Sequence, residues 1–392
     1  RHGLEYTFSG ACSCSLRLFE ARPGNGIYVY GRSSEYGGEM KDYTMEEALS
    51  SERVERIARI FRNNGNPKDI RHLEWQYSNP PAGEAVTTFC VSPDNQDAAV
   101  YSVFPVSFRS SKHGYLKGSQ SLDTLTDSRH RGKGAFVACA KSNYNSAIGH
   151  GIDFVYGFPN QFSAPGFFKK LGWSSVGYPP FRVFFCNFLY PFKSKFGVGL
   201  RLSNFFSKTF LAYKVRSLCN KESLAFKSSV DFESTAYEDL WSRFSQGFPL
   251  SLDRCASYMN WRYKQKQDEY CFLSVYRGAD LKGVCVYACK QKHGGKTGYI
   301  MDLIYEPDDT DIGFALLAQA TLDLFKQKAD IILCWADMKF AVNAPFRLAH
   351  YLPLPRKLQP IKLFFGVRVF SHNCDPAEFD KIYISYADSD TV

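Results

Sequence analysis

Residues 121–173 constrain the fold of this chain more than any other segment. They read in order as a strand, a glycine loop, a helix, a second strand and a proline-broken turn. The loop contains Gly132 and Gly134, and Arg131 and Lys133 add cations beside them. Backbone N–H groups cluster at such a helix start, where the positive end of the helix dipole favours anions. The segment therefore predicts a β-α-β crossover whose loop cradles a diphosphate.

Landmarks of the first half recur in the second half, which indicates an internal repeat. Residues 72–77 read HLEWQY and residues 258–263 read YMNWRY. The proline of an Ala-Pro turn follows Asp123 by 42 residues and follows Asp302 by 43. The agreement of these spacings predicts that both halves share one order of strands and helices.

Each half is predicted to be an α+β unit with a helix-rich start, an antiparallel meander and one β-α-β crossover. A chain of 392 residues is long enough for two such cores. We therefore predict a mixed α+β fold of two domains in tandem, each with a mostly antiparallel sheet. The domains are expected at 1–177 and 222–392, with a basic aromatic linker at 178–221.

The two halves differ at the loop before the crossover helix. Residues 307–313 of the second half read PDDTDIG, which is acidic where the first half is basic. Carboxylates at a helix start cap its N–H groups and repel a diphosphate. We therefore expect only the first half to bind phosphates and the second to be a degenerate copy.

Charge is unevenly distributed along the chain. Residues 154–221 contain no Asp or Glu, but ten Lys or Arg and fourteen Phe. One interpretation is a surface for anions, such as a CoA-like cofactor, a nucleotide-linked acceptor or an anionic membrane face. The other is a solvated basic linker whose aromatic side chains pack on the domains. The residues leave both open.

The twelve cysteines form neither a CxxC pair nor a His–Cys ligand set. This pattern favours reduced thiols and a cytoplasmic protein, which would be membrane-peripheral if 154–221 contacts lipid. No apolar run approaches the roughly 20 residues of a membrane span. The sequence begins at Arg1 and not at Met, so the sequence leaves open whether a targeting segment precedes it.

The glycine loop resembles the signature of the GNAT superfamily of acyl-CoA-dependent N-acyltransferases. That signature is Arg/Gln-x-x-Gly-x-Gly/Ala between a strand and a helix. Arg129-x-x-Gly132-x-Gly134 satisfies its letters. Arg131-x-x-Gly134-x-Phe136 fits the usual strand-to-helix spacing, with Phe in place of the small residue. Both registers assign the cradle to residues 131–135.

A second motif supports the resemblance. Residues 164–173, APGFFKKLGW, resemble the later family motif, which ends in Lys-Leu-Gly-aromatic. Close resemblance covers 119–173, and weaker resemblance covers both halves, as in tandem-GNAT proteins. It implies two GNAT-like domains, the second a degenerate copy.

The resemblance also implies that the loop holds the diphosphate of acetyl-CoA or another acyl-CoA. The cofactor-binding groups would be one charged side chain and the loop N–H groups: Arg131, Gly132, Lys133, Gly134 and Ala135. The strand before the loop would supply the amide that polarises the thioester carbonyl. Leu125 and Thr126 are the candidates for that amide.

Candidate proton-transfer residues follow from the same comparison. Asp123 lies on the strand of the site and is a candidate base for the amine. Because Asp302 has the same place in the half without a cradle, a structural carboxylate is the favoured interpretation. The position where many family members place a Tyr for the leaving thiolate holds Phe168. Either another hydroxyl is the donor (Tyr156, Tyr144 or Ser163), or the coenzyme thiolate leaves without a protein donor.

These features imply an acyl-CoA-dependent N-acyltransferase, in the simplest case an N-acetyltransferase, without a metal. Its acceptor would be a small-molecule amine, such as an amino sugar or glycan precursor, and nucleic acid is not an expected partner. Two alternatives stay open: an aminoacyl or peptidyl transferase of the cell-wall-precursor type, and a non-catalytic acyl-CoA-binding scaffold. No HExxH or GxSxG motif indicates a metalloprotease or serine hydrolase.

Overall fold

The computed structural model describes residues 29–30, 40, 42–78, 80–190, 202–372 and 374–389. Residues 191–201, in the expected linker, and 1–28, in the expected first domain, lie outside the described residues. The described residues form two mostly antiparallel sheets with helices packed on them. This architecture confirms the predicted mixed α+β fold.

Strands and helices are numbered here in chain order. The strands are β1 (Val29–Tyr30), β2 (Thr44–Glu47), β3 (Val86–Val91), β4 (Asp97–Ser110), β5 (Gly114–Thr126), β6 (Phe154–Gly157), β7 (Ser174–Gly177), β8 (Phe181–Phe185), β9 (Leu224–Lys227), β10 (Leu250–Leu252), β11 (Cys271–Arg277), β12 (Asp280–Lys292), β13 (Gly295–Tyr305), β14 (Ile331–Trp335), β15 (Leu352–Pro353), β16 (Phe365–Val369) and β17 (Ile382–Tyr383). The helices are α1 (Ser50–Asn63), α2 (Ile70–Ser78), α3 (Ala135–Gly149), α4 (Ala164–Lys170), α5 (Phe205–Glu222), α6 (Thr235–Ser245), α7 (Ala256–Tyr263), α8 (Thr310–Lys326) and α9 (Ala344–Leu348).

The amino-terminal lobe is built on the sheet β1-β2-β3-β4-β5-β6-β16-β7, with β10 beside β4 and β17 beside β10. The carboxy-terminal lobe is built on the sheet β15-β8-β14-β13-β12-β11-β9. Helix α3 joins the parallel pair β5 and β6, and α8 joins the parallel pair β13 and β14. Both predicted β-α-β crossovers are therefore present.

Each sheet contains strand residues from the other half of the chain. Strand β8, from the segment expected to be a linker, lies between β14 and β15, with Phe184 opposite Ile332. Strand β16 lies between β6 and β7, with Val367 opposite Tyr156. Helix α5, from the same expected linker, packs on α8. The lobes consequently exchange strands and share their apolar interior.

Helices pack on both faces of the amino-terminal sheet. On one face, α1 buries Ile57, Ile60 and Phe61, whose spacing forms one apolar stripe. On the other face, α3 buries Cys139 and Ala140, whose small side chains let the helix lie close to the strands. The Cys139 thiol contacts a backbone carbonyl of β3 at 3.0 Å. No helix in the described part of the chain is long and apolar enough to cross a membrane.

Candidate active site

The loop 131–135 lies between the end of β5 and the start of α3. Gly132 and Gly134 have φ angles of 82° and 94°, in the left-handed region that glycine adopts without strain. A Cβ at Gly132 would meet no heavy atom within 4 Å. Residues 131–134 are exposed, whereas Ala135 is buried under the first turn of α3. Within the described part of the chain, the loop therefore faces open space.

The start of α3 offers uncapped N–H groups. Gly134 is its N-cap, no described side chain caps it, and its first turn contains no acidic residue. At the equivalent helix α8, the Asp309 carboxylate accepts from the Ile312 amide at 3.1 Å, and Asp311 lies in the first turn. The predicted acidic cap of the second crossover helix is thus confirmed. One helix start is open to an external anion, and the other already holds a carboxylate.

The two arginines of the loop have different partners. Arg129 donates from Nε to Asp127 at 3.0 Å, and its hydrogen bond holds the pKa of Asp127 down at about 2. Arg131 is exposed, and its Nε contacts the carbonyl oxygen of Thr126 at 3.4 Å. Among the described residues, Arg131 has no carboxylate partner. The register that starts at Arg131 therefore places an unpaired cation beside the uncapped helix start.

Strand β5 has a β-bulge just before the loop. Tyr101 of β4 lies opposite two residues of β5, Asp123 and Thr124. Asp123 has a φ of 44°, which is uncommon for a residue with a Cβ. Leu122 and Leu125 are three residues apart and so break the two-residue alternation of the strand, but that spacing alone does not distinguish a bulge from the end of the strand.

Strands β5 and β6 separate after Gln120, before the bulge is reached. The last residue of β5 paired with β6 is Gln120, although β5 continues to Thr126. The Asp127 amide donates to β4 at 2.9 Å, so strand alternation points the Thr126 amide to the opposite edge, into the split. The Leu125 amide points toward β4 by the same alternation. Of the two predicted carbonyl-polarising amides, the geometry favours Thr126.

No sequence-family model matches this chain, and no curated protein matches it. Solved structures do match. The N-myristoyltransferase of Saccharomyces cerevisiae with bound myristoyl-CoA is 9% identical, with a TM-score of 0.56 over 86% of this chain and 84% of that one. A GCN5-related N-acetyltransferase from Anabaena variabilis is 11% identical, with a TM-score of 0.54 over 83% and 72%. A probable N-acyltransferase from Enterococcus faecalis is 12% identical, with a TM-score of 0.52 over 83% and 72%.

The chain has a two-lobed GNAT fold. At 9–12% identity the likeness is one of fold, and it confirms the tandem architecture expected from the motifs. Within this GNAT fold, the loop 131–135, the bulge and the split lie together at one end of β5.

Asp123 is buried in the GNAT fold, and its carboxylate is engaged twice. It forms an ion pair with Lys68 and accepts from the Tyr77 hydroxyl at 2.8 Å. In the carboxy-terminal lobe, Tyr263 donates in the same way to Asp302 at 2.7 Å. Because the bond recurs in the lobe with the acid-capped helix, it favours a structural role for Asp123. Lys68 carried no motif, so sequence reasoning missed it.

Tyr156, the other candidate catalytic residue, is buried between the lobes. Its hydroxyl lies 3.3 Å from Gln120 Oε1 and 3.4 Å from the Asp388 carbonyl oxygen, either of which can accept its single proton. Tyr144 is also buried, which raises its pKa to about 12, and it accepts from Trp173 Nε1 at 2.8 Å. Both hydroxyls lie in packed surroundings and not on an exposed wall of the split.

A chain of hydroxyls that the sequence did not reveal extends inward from the edge of the split. Ser121, one residue beyond the last β5–β6 pair, donates to the Tyr101 hydroxyl at 2.8 Å. Tyr101 in turn lies 3.2 Å from the Tyr144 hydroxyl. Since residues on β4, β5 and α3 contribute, only the pairing of these elements brings them together. Ser163, the remaining candidate donor, is the residue just before α4, and its hydroxyl lies 3.4 Å from the Asn160 carbonyl oxygen.

Two phenylalanines fill positions near α4. A Cβ at Gly166 would lie 2.7 Å from the Phe136 ring, so Phe136 occupies the space between α3 and α4. A Cβ at Gly366 of β16 would lie 2.8 Å from the Phe168 ring, so Phe168 packs on the exchanged strand. Among the described residues, no group of three His, Cys, Asp or Glu side chains could hold a metal.

Proposed function

We propose that this protein is an acyl-CoA-dependent N-acyltransferase, most simply an N-acetyltransferase, that binds its acyl-CoA in the amino-terminal lobe. The observation that carries the proposal is the uncapped start of α3 beside the split between β5 and β6. The fold supports it, since the similar structures include an N-myristoyltransferase with bound myristoyl-CoA and a GCN5-related N-acetyltransferase.

The residues of the loop fit a diphosphate. A Cβ at Gly134 would have only the Met40 side chain within 4 Å, at 3.8 Å, and the space at Gly132 is open. The amides of residues 132–135 and the Arg131 guanidinium would hold the phosphate oxygens by charge-assisted hydrogen bonds. Lys133, also exposed, adds a second cation at the same place.

The acyl-CoA supplies an activated acyl group, and the chain supplies orientation and a hydrogen bond. The Thr126 amide is directed into the split, where it would donate to the oxygen that gains negative charge during transfer. Asp123, through Tyr77 and Lys68, holds the bulged strand in place. A preset donor of this kind typically contributes about 2.7–4 kcal/mol to lowering the barrier.

The acceptor we propose is an amine on an amino sugar or glycan precursor, carried by an anionic group such as a nucleotide or lipid diphosphate. The support is charge: residues 154–221 contain no acid, and Lys169 and Lys170 on α4 are exposed. Initial rates with free and nucleotide-linked amino sugars test this assignment. Equal rates for both would contradict the anionic carrier, and no turnover of either would contradict the amino sugar.

Titration calorimetry with acetyl-CoA tests the cradle. Gly134→Asp places a carboxylate at the helix start and should weaken binding at least tenfold. Gly278→Asp is the matched control, because Gly278 also has a positive φ of 63° and open space but lies in the other lobe. Equal affinities of the wild type and Gly134→Asp would refute the proposal.

The non-catalytic alternative is favoured by Phe136 and Phe168, which stand where a small residue and a hydroxyl are common in the family. Consumption of acetyl-CoA with a panel of amines separates it from catalysis. Tight binding without turnover of any amine would identify a scaffold. Turnover that is lost in Gly134→Asp and kept in Gly278→Asp would identify an enzyme.

A further inference from the structure

Helix α5 presents aromatic side chains on the side that faces away from the core. Phe206 is 86% exposed and Tyr213 is 69% exposed. They are seven residues apart, or about two helical turns, and therefore lie on one line along the helix. Leu211 and Val215, on the opposite side, are buried where α5 packs on α8. The outward side of this helix thus carries the kind of residue that normally faces inward.

The apolar surface continues beyond the start of the helix. Phe205 is 66% exposed, and its ring lies 6.4 Å from that of Phe206. The Phe188 amide donates to the Leu202 carbonyl at 2.9 Å, so these two exposed residues are neighbours. We name this surface the outward aromatic face; its members are Phe188, Leu202, Phe205, Phe206 and Tyr213. Single exposed apolar residues are ordinary, but a group of this kind marks an interaction surface.

The charges that α5 carries beside the outward aromatic face are positive. Lys208, Lys214 and Arg216 are exposed on α5, and the helix has no acid before Glu222 at its end. Glu222 is itself partly buried and ion-paired with Arg277. The surface therefore combines aromatic rings with an unbroken set of cations. A second copy of the chain would bring like charges together, which disfavours self-association through this face.

We propose that the outward aromatic face docks on an anionic lipid bilayer. Aromatic rings enter the boundary between headgroups and acyl chains, while flanking Lys and Arg stay among anionic headgroups. Each such cation contributes attraction that weakens with added salt. The proposal is independent of the acyl-CoA site, because α5 packs on the carboxy-terminal lobe. It concerns the outward aromatic face, and not the lysines of α4 that support the anionic acceptor.

Co-sedimentation of the full chain with vesicles tests the proposal. Vesicles of phosphatidylcholine with phosphatidylserine should bind the protein, and vesicles of phosphatidylcholine alone should bind it at least tenfold more weakly. The double variant Phe205→Ser/Phe206→Ser should lose at least tenfold in affinity for the anionic vesicles. Since both side chains are exposed, its thermal unfolding should match that of the wild type.

Tyr115→Ser is the matched control, because Tyr115 is 66% exposed, like Phe205, but lies on β5 of the other lobe. It should bind anionic vesicles like the wild type. A second arm, Lys208→Gln/Lys214→Gln, should weaken binding and reduce its dependence on salt.

Two results would overturn the proposal. The first is a vesicle result: either Phe205→Ser/Phe206→Ser binds anionic vesicles as tightly as the wild type does, or the wild type itself does not bind them. The second is a wild-type dimer in analytical ultracentrifugation that the double variant abolishes, since a second copy would then cover the face.

Discussion

The indole rings of Trp75 and Trp261 stack on each other, with centroids 4.7 Å apart and planes inclined by 16°. Each Nε1 donates to the backbone carbonyl of the other residue, at 2.7 Å from Trp75 and 3.2 Å from Trp261. The two residues come from the repeated segments on α2 and α7. Their reciprocal contacts indicate that a local two-fold relation between the lobes runs between the two rings.

Trp75→Ala and Trp261→Ala should each lower the free energy of unfolding by about 3 kcal/mol, because each removes the stack and one indole hydrogen bond. Trp75→Phe should cost about 1 kcal/mol, since it keeps a ring and loses one donor. The double alanine variant should cost less than the sum of the single ones. Urea unfolding measures all four, and strict additivity would contradict the reciprocal contact.

Asp123→Ala should lower the free energy of unfolding by about 2–3 kcal/mol, because Tyr77 and Lys68 both lose their partner. Asp123→Asn still accepts from Tyr77 and tolerates the positive φ, so it should cost less. If Asp123 has a structural role, the kcat of Asp123→Asn should stay within a few-fold of the wild-type value. A drop of about 100-fold or more at unchanged stability would instead identify Asp123 as the base.

Asp127 should stabilise the native state above about pH 4 and lose this contribution as the pH falls toward 2. The reason is that its hydrogen bond with Arg129 lowers its pKa from 3.8 to about 2 in the folded protein. Protons therefore bind the unfolded state first, which favours unfolding across this window. Urea unfolding of wild type and Asp127→Asn at a series of pH values measures the effect. A stability difference that is constant from pH 6 to pH 2 would contradict it.

Gly366→Ala should destabilise the protein by about 1–3 kcal/mol, because overpacking forces rings aside. Its Cβ would lie 2.8 Å from the Phe168 ring and 3.0 Å from Trp173. Gly149→Ala is the matched control, since nothing described lies within 4 Å of its Cβ.

Because β16 joins one half of the chain to the sheet of the other, fluorescence and circular dichroism should report one shared unfolding transition of the wild type. Two separate transitions would show that the lobes unfold independently.

Most secondary-structure elements of this protein were predictable from local pattern. The apolar runs at 86–91 and 331–335 form strands β3 and β14, and α3 begins directly after Gly134, the second glycine of the predicted loop. Gly132 and Gly134 mark the loop because only a turn with positive φ needs them there. The acidic cap at Asp309 was equally readable, since a helix start and a carboxylate are adjacent in sequence.

The strand exchange was not predictable, because residues 181–185 and 365–369 are apolar strands whose partners lie far away in sequence. The local pattern predicts that such a strand is buried, but it does not predict which sheet the strand joins. The same limit hid Lys68, which reaches Asp123 from the loop between α1 and α2. It also hid the outward aromatic face, since a sequence does not say which aromatic residues of a helix stay uncovered.

The sequence alone determined the repeat, the order of strands and helices, and the glycine loop at the start of one crossover helix. These depend on periodicity, turn chemistry and capping, which act over a few residues. Only the tertiary structure decided that β5 bulges and parts from β6, that the lobes exchange strands, and that Trp75 meets Trp261. Each of those depends on contacts between segments distant in the chain, whose free energies local pattern does not encode.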